Sequence, residues 1–413
     1  DGSEYGLINV VNSKVGIQIQ SIIGPDSFLA KAEGEAYASA VTCASSVSNL
    51  DAASLVNWAR GDDIAGNEAK TGACPAASRG DACPISVRGS IHGDVLHSRP
   101  TVVNYAGAYN VGDDETIDKD NVVVFYGSND GHYRAVNGNQ TRAIGNVRPG
   151  GELWSFIAPE FFGKLERQYT NIPAVSYPGF FVDYDKDGVN DAEPRDYFFD
   201  GATTLLQDLR SDETLTTFGK TYIYITARRG GALVYALDVS DPVAPKILWK
   251  VSDSEISELG QTWSQAKVTQ IAAYPNPVLI MGAGYDPAED ADPAPSVNTK
   301  GRGILILDAL NGKVVWAATA DSNADLDDNS CLAGISNLAT GGACVDASMS
   351  KSFPADITLV DANFDGLTDR LYAVDVAGNI WRVDLEPHGT DSSTAADIKL
   401  SKFASLGVGA DGN

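Results

Sequence analysis

The chain contains no apolar run approaching the ~18 residues that a membrane-spanning helix needs, so no such span is expected among its 413 residues. Positive charge is also short. Lys and Arg total 30 against 55 Asp and Glu, a formal net charge of −25 with an isoelectric point near 4.4. Such a field repels phosphate backbones and anionic lipid and attracts divalent cations, which argues against nucleic acid or membrane as partners. The opening Asp1-Gly-Ser-Glu-Tyr-Gly6 lacks the basic and apolar regions of a secretion signal, and the expectation is a soluble mature or excised fragment. Helical patterning is scarce and confined to 50–60, where Asn49 is placed as N-cap, Leu55, Val56 and Trp58 share an apolar face, and Gly61 falls at a left-handed C-cap. His92 and His97 are five apart, a spacing that suits neither a helix face nor a strand face for metal binding, so both read as structural. No nucleophile-and-base arrangement is legible.

What is present in place of these is a repeated acidic loop. In Asp361-Ala-Asn363-Phe-Asp365-Gly366-Leu367-Thr-Asp369, oxygen-bearing side chains stand at positions 1, 3, 5 and 9, with a main-chain carbonyl at 7 and glycine at 6 for the sharp turn. A hard cation needs about six oxygens, and this spacing delivers them, with calcium the natural ion. Asp183-Tyr-Asp185-Lys-Asp187-Gly188-Val189-Asn-Asp191 repeats the pattern with aspartate at all four side-chain positions. Asp-Gly and Asn-Asp are also ordinary turn chemistry. Two full matches, each with glycine at position 6, favour ion binding. Neither loop is an EF-hand, since each closes on aspartate at position 9 and the second runs into a strand-like segment, Arg370 to Leu385. With four carboxylates against three, the 183–191 loop is expected to bind more tightly.

A hydrophobic content of 43% is ordinary for a globular fold. Cys74 and Cys83, and Cys331 and Cys344, are close in loop-like sequence, which suggests two local disulfides in an oxidising compartment and leaves Cys43 over; five reduced thiols are the alternative.

Strand-like runs recur in a degenerate repeat: an apolar strand, a glycine turn, a second strand closing on Asp or Asn, and usually a third bearing tryptophan. The copies are Val122 to Asn137 with Trp154, Thr221 to Asp238 with Trp249, Pro277–Gly282 and Gly303–Asp308 with Trp316, and Asp369 to Asp384. Recurrence of one turn at one strand position favours an all-β fold of the β-propeller type over a sandwich, with inserted loops and one or two short helices. Trp154, Trp249 and Trp316 then read as core packing. The expected organisation is a partly helical, loop-rich segment over 1–90 and a propeller over 91–413, with insertions near 173–196, 287–300 and 321–345.

The segments Val56 to Asp62, Gly93 to Pro100, Tyr126 to Gly131, Gly231 to Pro242, Leu259 to Gln265 and 361–385 resemble, in that order, the C-terminal domain of the PilC/PilY type IV pilus tip proteins. The resemblance covers roughly 50–385. It implies a modified, quinoprotein-like seven-bladed propeller at a bacterial pilus tip, one that promotes pilus extension over retraction, helps adhesion and in some members responds to calcium. It places the family's calcium loop on Asp361, Asn363, Asp365, Leu367 and Asp369, and makes the 183–191 loop an insertion. It implies minor pilins of the tip complex and a surface or host receptor as partners, outside the cell.

Arg-Gly-Asp, a tripeptide that integrins read, occurs at Arg60-Gly61-Asp62 and Arg79-Gly80-Asp81. The first copy reads more simply as a helix cap. The second lies between Cys74 and Cys83, where a disulfide would preorganise it. Two other functions compete: a quinoprotein-like dehydrogenase, whose cofactor stacks on a disulfide between adjacent cysteines that this sequence lacks, and a purely structural calcium-stiffened module. Non-catalytic binding with no organic cofactor is favoured.

Overall fold

The computed structural model describes residues 52–62, 90–105, 121–208, 219–320, 343–345, 348–385 and 398–407. In chain order its elements are helix α1 (Ala52–Ala59), strands β1 (Thr101–Asn104), β2 (Val122–Gly127), β3 (His132–Asn137) and β4 (Glu152–Ile157), and helix α2 (Phe162–Thr170). Strands β5 (Thr203–Gln207), β6 (Thr221–Thr226), β7 (Leu233–Asp238) and β8 (Lys246–Ser252) follow. Then come β9 (Lys267–Ile271), β10 (Tyr274–Gly282), β11 (Gly303–Asp308), β12 (Val314–Thr319), β13 (Ala343–Val345), β14 (Thr358–Val360), β15 (Arg370–Val374), β16 (Asn379–Asp384) and β17 (Lys399–Ser405). The chain divides into two units, Asp1–Leu96 with Gly127–Phe198, and His97–Tyr126 with Phe199–Asn413.

In the first unit α1 lays Leu55, Val56, Trp58 and Ala59 against Phe162 and Leu165 of α2. Its end is a double-bonded glycine cap: Gly61 N–H donates to Trp58 O at 2.9 Å and Asp62 N–H to Asn57 O at 2.9 Å, with Gly61 at φ 106°. Arg60-Gly61-Asp62 is therefore helix-terminating backbone, as the capping pattern predicts. Antiparallel β3 and β4 hold a buried polar network, in which Arg134 donates to Asp130 Oδ2 at 2.6 Å and to Glu152 Oε2 at 3.0 Å. Burial alone would raise the Asp130 carboxyl, but the Arg134 guanidinium, with His132 and Ser128, overrides it and holds the group well below the usual carboxylate range.

The second unit carries three antiparallel sheets in strict chain order, β5–β8, β9–β12 and β14–β17, with β13 added parallel to β12, as well as the β1/β2 pair. The middle sheet is buried on both faces, and the alternation of its residues divides between two cores. Ile304 and Ile306 of β11 pack with Phe353, Leu371 and Trp381 on one side, while Leu305 and Leu307 pack with Tyr224, Val234 and Trp249 on the other. Burial on both faces explains why β11 reads as an unbroken apolar run.

The repeat seen in the sequence has a structural cause. Where the third strand of a sheet ends, its Asn or Asp accepts a hydrogen bond from the backbone N–H two residues on: Asn137 from Asn139 at 3.0 Å, Asp238 from Ser240 at 2.9 Å, and Asp308 from Leu310 at 2.7 Å. The next strand returns with one extra residue at the same place, the pairing slipping after Ala135↔Trp154, Ala236↔Trp249 and Ile306↔Trp316. All three tryptophans are buried, and truncating such a side chain to alanine costs roughly 3–5 kcal/mol. The fold class is all-β, built of antiparallel sheets in up-and-down order, the strand arrangement of a β-propeller blade. Each of the three sheets of the second unit opens with a strand that the sequence repeat does not indicate. The opening strands β5, β9 and β14 are short and half-exposed, and so lack the apolar runs that mark their neighbours. Among the described residues no helix is long and apolar enough to cross a membrane.

Candidate metal centres

The two acidic loops fold alike, bond for bond. In the loop of the first unit, Asp183 Oδ1 accepts from Lys186 N at 2.6 Å and its Oδ2 from Gly188 N at 2.9 Å; Asp185 accepts from Asp187 N at 3.2 Å, Asp187 from Val189 N at 2.7 Å, and Asp191 from Tyr184 N at 2.5 Å. In the loop of the second unit the equivalents are Asp361 with Phe364 N at 2.6 Å and Gly366 N at 2.9 Å, Asn363 with Asp365 N at 2.9 Å, Asp365 with Leu367 N at 2.8 Å, and Asp369 with Ala362 N at 2.5 Å. Position 6 is left-handed in both, Gly188 at φ 86° and Gly366 at φ 91°, which is the reason glycine stands there. Position 4 is left-handed too, at Lys186 and Phe364, where only the local bond to the first aspartate compensates the strain.

The donor sets differ in charge and burial. Ligand oxygens of Asp183, Asp185 and Asp187 all lie within 4.8 Å of one another, and most of the loop is exposed. Three carboxylates so close repel one another unless a cation intervenes. In the other loop Asn363 Nδ2 donates to Asp365 Oδ2 at 3.1 Å, so one repulsion is replaced by a hydrogen bond. Its ninth residue, Asp369, is 6% exposed, and Asp369 Oδ1 is buried with no hydrogen-bond partner. A buried carboxylate oxygen without a donor is costly, and a cation at this position would satisfy it. The residues present thus fit a hard divalent ion in both loops.

Anchoring also differs. The 183–191 loop sits in a stretch, 171–201, that carries no strand. Its neck is closed by backbone bonds from Ser176 N to Glu193 O at 2.7 Å and from Glu193 N to Ala174 O at 2.9 Å, and is reinforced by Arg167 of α2. Arg167 Nε donates to Pro173 O at 2.9 Å, Nη1 to Pro194 O at 2.8 Å and Asp196 Oδ2 at 3.1 Å, and Nη2 to Glu193 O at 3.0 Å. The 361–369 loop is stitched into sheet. Thr368 N–H donates to Gln270 O of β9 at 2.8 Å, Asp369 N–H to Val360 O of β14 at 2.9 Å, Leu385 N–H to Asp369 O at 2.8 Å, and the hydroxyls of Thr269 and Thr368 meet at 2.6 Å. Loop spacing alone gave no sign of Arg167, Gln270 or Thr269, because each acts on partners distant in sequence.

Other residues singled out in the sequence fall elsewhere. His92 Nδ1 bonds the neighbouring Gly93 O, whereas His97 Nδ1 pairs with the buried Asp200 at 2.6 Å, so no shared metal site joins them. Cys43, Cys74, Cys83, Cys331 and Arg79-Gly80-Asp81 lie outside the described residues, and Cys344 lies in β13.

No family model matches the sequence. The chain is 28% identical over 382 residues to the type IV pilus biogenesis factor PilY1 of Pseudomonas aeruginosa strain UCBPP-PA14, an alignment covering 86% of this chain and 26% of that protein. The chain is similar in sequence to PilY1-type pilus biogenesis factors over most of its length. A PilY1 homolog of Xylella fastidiosa is 24% identical over 343 residues, 80% of this chain and 21% of that one, so the chain spans about a quarter or less of the length of these curated relatives. Among solved structures, the P. aeruginosa PilY1 C-terminal domain is 19% identical, with a TM-score of 0.43, over 71% of this chain and 46% of that domain.

Proposed function

We propose that this chain is the calcium-binding propeller region of a type IV pilus biogenesis factor, working at the pilus tip on the bacterial surface to favour assembly and extension over retraction and to support adhesion. Its partners on this reading are the minor pilins of the tip complex and a surface or host receptor, and its role is binding, not catalysis. Sequence similarity to PilY1 supports the pilus part. The calcium part rests on one observation above the rest, the buried, unpartnered Oδ1 of Asp369 at the ninth position of a loop whose other oxygens are ligand-spaced. Asp361, Asn363, Asp365, the Leu367 carbonyl and Asp369 would hold the ion, and Asp183, Asp185, Asp187, the Val189 carbonyl and Asp191 a second. Calcium supplies positive charge that neutralises converging carboxylates.

The link to function runs through β15, which begins at the residue after Asp369. Trp381 of β16 packs in the core between the second and third sheets and donates from Nε1 to Asp375 Oδ2 at 3.0 Å, so loosening β15 reaches that core. In a bacterium carrying the full-length protein, Asp365→Ala is expected to change surface piliation and twitching with expression intact. Normal piliation and motility in that variant, with calcium binding shown by calorimetry to be lost, would reduce the loop to a staple and sink the mechanism.

A further inference from the structure

Two stretches that the calcium loops leave unexplained, His97 to Pro100 and Leu259 to Gln265, converge in the second unit around the turn between β6 and β7. There Arg228 takes a left-handed backbone, φ 51°, which is rare for a long side chain, and an isolated bridge joins it to Thr262. Its guanidinium carbon stands 4.5 Å from the ring centre of Trp263, and that ring stacks on Tyr285 at 4.3 Å with 27° between planes.

The acids of this neighbourhood are engaged with other groups. Asp200 accepts from His97 N and pairs with His97 Nδ1; Asp356 accepts from Gln265 N at 2.8 Å and Arg99 Nη1 at 3.3 Å; Asp290 accepts from both Nη atoms of Arg229 and from Tyr285 OH. Arg228 makes no side-chain hydrogen bond and no ion pair among the described residues, and its Nε is buried. Burial lowers its pKa, with Asp200 and Asp356 offsetting part of that effect from a distance. A guanidinium offers five donors in a planar fork matched to a carboxylate, and leaving a half-buried one unmatched is unfavourable.

We propose that Arg228, backed by Trp263 and flanked by Arg99, binds the carboxylate of an acidic ligand. The carboxylate belongs either to a small organic acid or to an acidic peptide side chain. The net charge of −25 opposes any anion, so binding rests on the fork itself, and a two-point charge-assisted contact supports a Kd of about 1 mM.

The test titrates the intact chain with glutarate, with an acetylated, amidated Glu-rich hexapeptide and with inorganic phosphate, followed by the Arg Nε–Hε resonances in nitrogen-labelled protein. We expect the Arg228 resonance to shift with glutarate or with the peptide, the responding arm identifying the source. Arg228→Met keeps the stem on Trp263 and removes the fork, and should weaken that binding about tenfold or more while a matched melting curve shows the protein folded. Arg228→Lys, which keeps charge without the fork, should recover only part. No response from either carboxylate, an affinity unchanged in Arg228→Met, or phosphate binding as tightly as carboxylate would each overturn the assignment.

Discussion

The two acidic loops share one local fold and differ in everything around it. Each turns on the same glycine and closes the same five hydrogen bonds, so nine residues of sequence determine the ligand cradle. Loop 183–191 has the greater charge and sits in a strandless stretch whose neck is held by Arg167 and a pair of backbone bonds. Loop 361–369 has one carboxylate fewer and is bonded into two sheets, its last ligand buried at the head of β15. Affinity and consequence therefore separate. Charge count sets how tightly an ion is held, and anchoring sets how far its loss is felt.

The comparison is broken most directly at position 9. Asp369→Ala removes a charge-assisted bond to Ala362 N and a second, 3.3 Å, to Asn363 N at a buried position, for about 2 kcal/mol. Amides of β15 should then exchange with deuterium about 30-fold faster with chelator present, where no bound ion contributes. Asp191→Ala takes the same bond from a partly exposed position in a strandless stretch, and should change local exchange by less than about threefold. Equal effects would show that anchoring contributes nothing.

A smaller effect sharpens it. At calcium about tenfold above Kd, bound ion stabilises its site by about 1.4 kcal/mol. Asp185→Ala should abolish the tighter calorimetric site yet leave β15 exchange unchanged. Asp365→Ala should abolish the weaker site and with it a roughly tenfold calcium-dependent protection of β15. Tighter binding at 361–369 would reverse the charge argument, and protection of β15 that survives Asp365→Ala would detach the strand from the ion.

How much of this was legible in sequence follows the same division between local and distant. The ligand spacing, the Gly61 cap, the Asn and Asp that close third strands and the tryptophans at the bulge are set within a few residues, and all could be read. The opening strands β5, β9 and β14 could not, because half-exposed strands of three to five residues carry mixed side chains and borrow their order from the neighbour they pair with. Helix α2 escaped for a related reason. Its apolar face has only Phe162 and Leu165 fully buried, with Tyr169 partly so, and its end is set by Asn171 in the left-handed region, without a glycine. The burial of Asp369 was invisible because it depends on β14 and on the residues that cover it, whereas the loop pattern fixes only which way the carboxylate turns.

The finest test of the comparison leaves both sets of ligands untouched. Arg167 holds three backbone carbonyls and Asp196 from one guanidinium, reinforcing the backbone bonds at the neck of the strandless stretch, so Arg167→Ala loosens the ends of that segment without changing the charge of its loop. A freer neck adds an ordering cost to each binding event, and calcium affinity at 183–191 should fall about threefold. Affinity at 361–369 should stay the same, since its anchors are backbone bonds to β9 and β14 in the other unit. Calorimetry in an Asp365→Ala background isolates the first site, and in an Asp185→Ala background the second. An unchanged first site would mean that the nine-residue cradle is preorganised without its neck, and a weakened second site would mean that Arg167 acts well beyond the segment it ties.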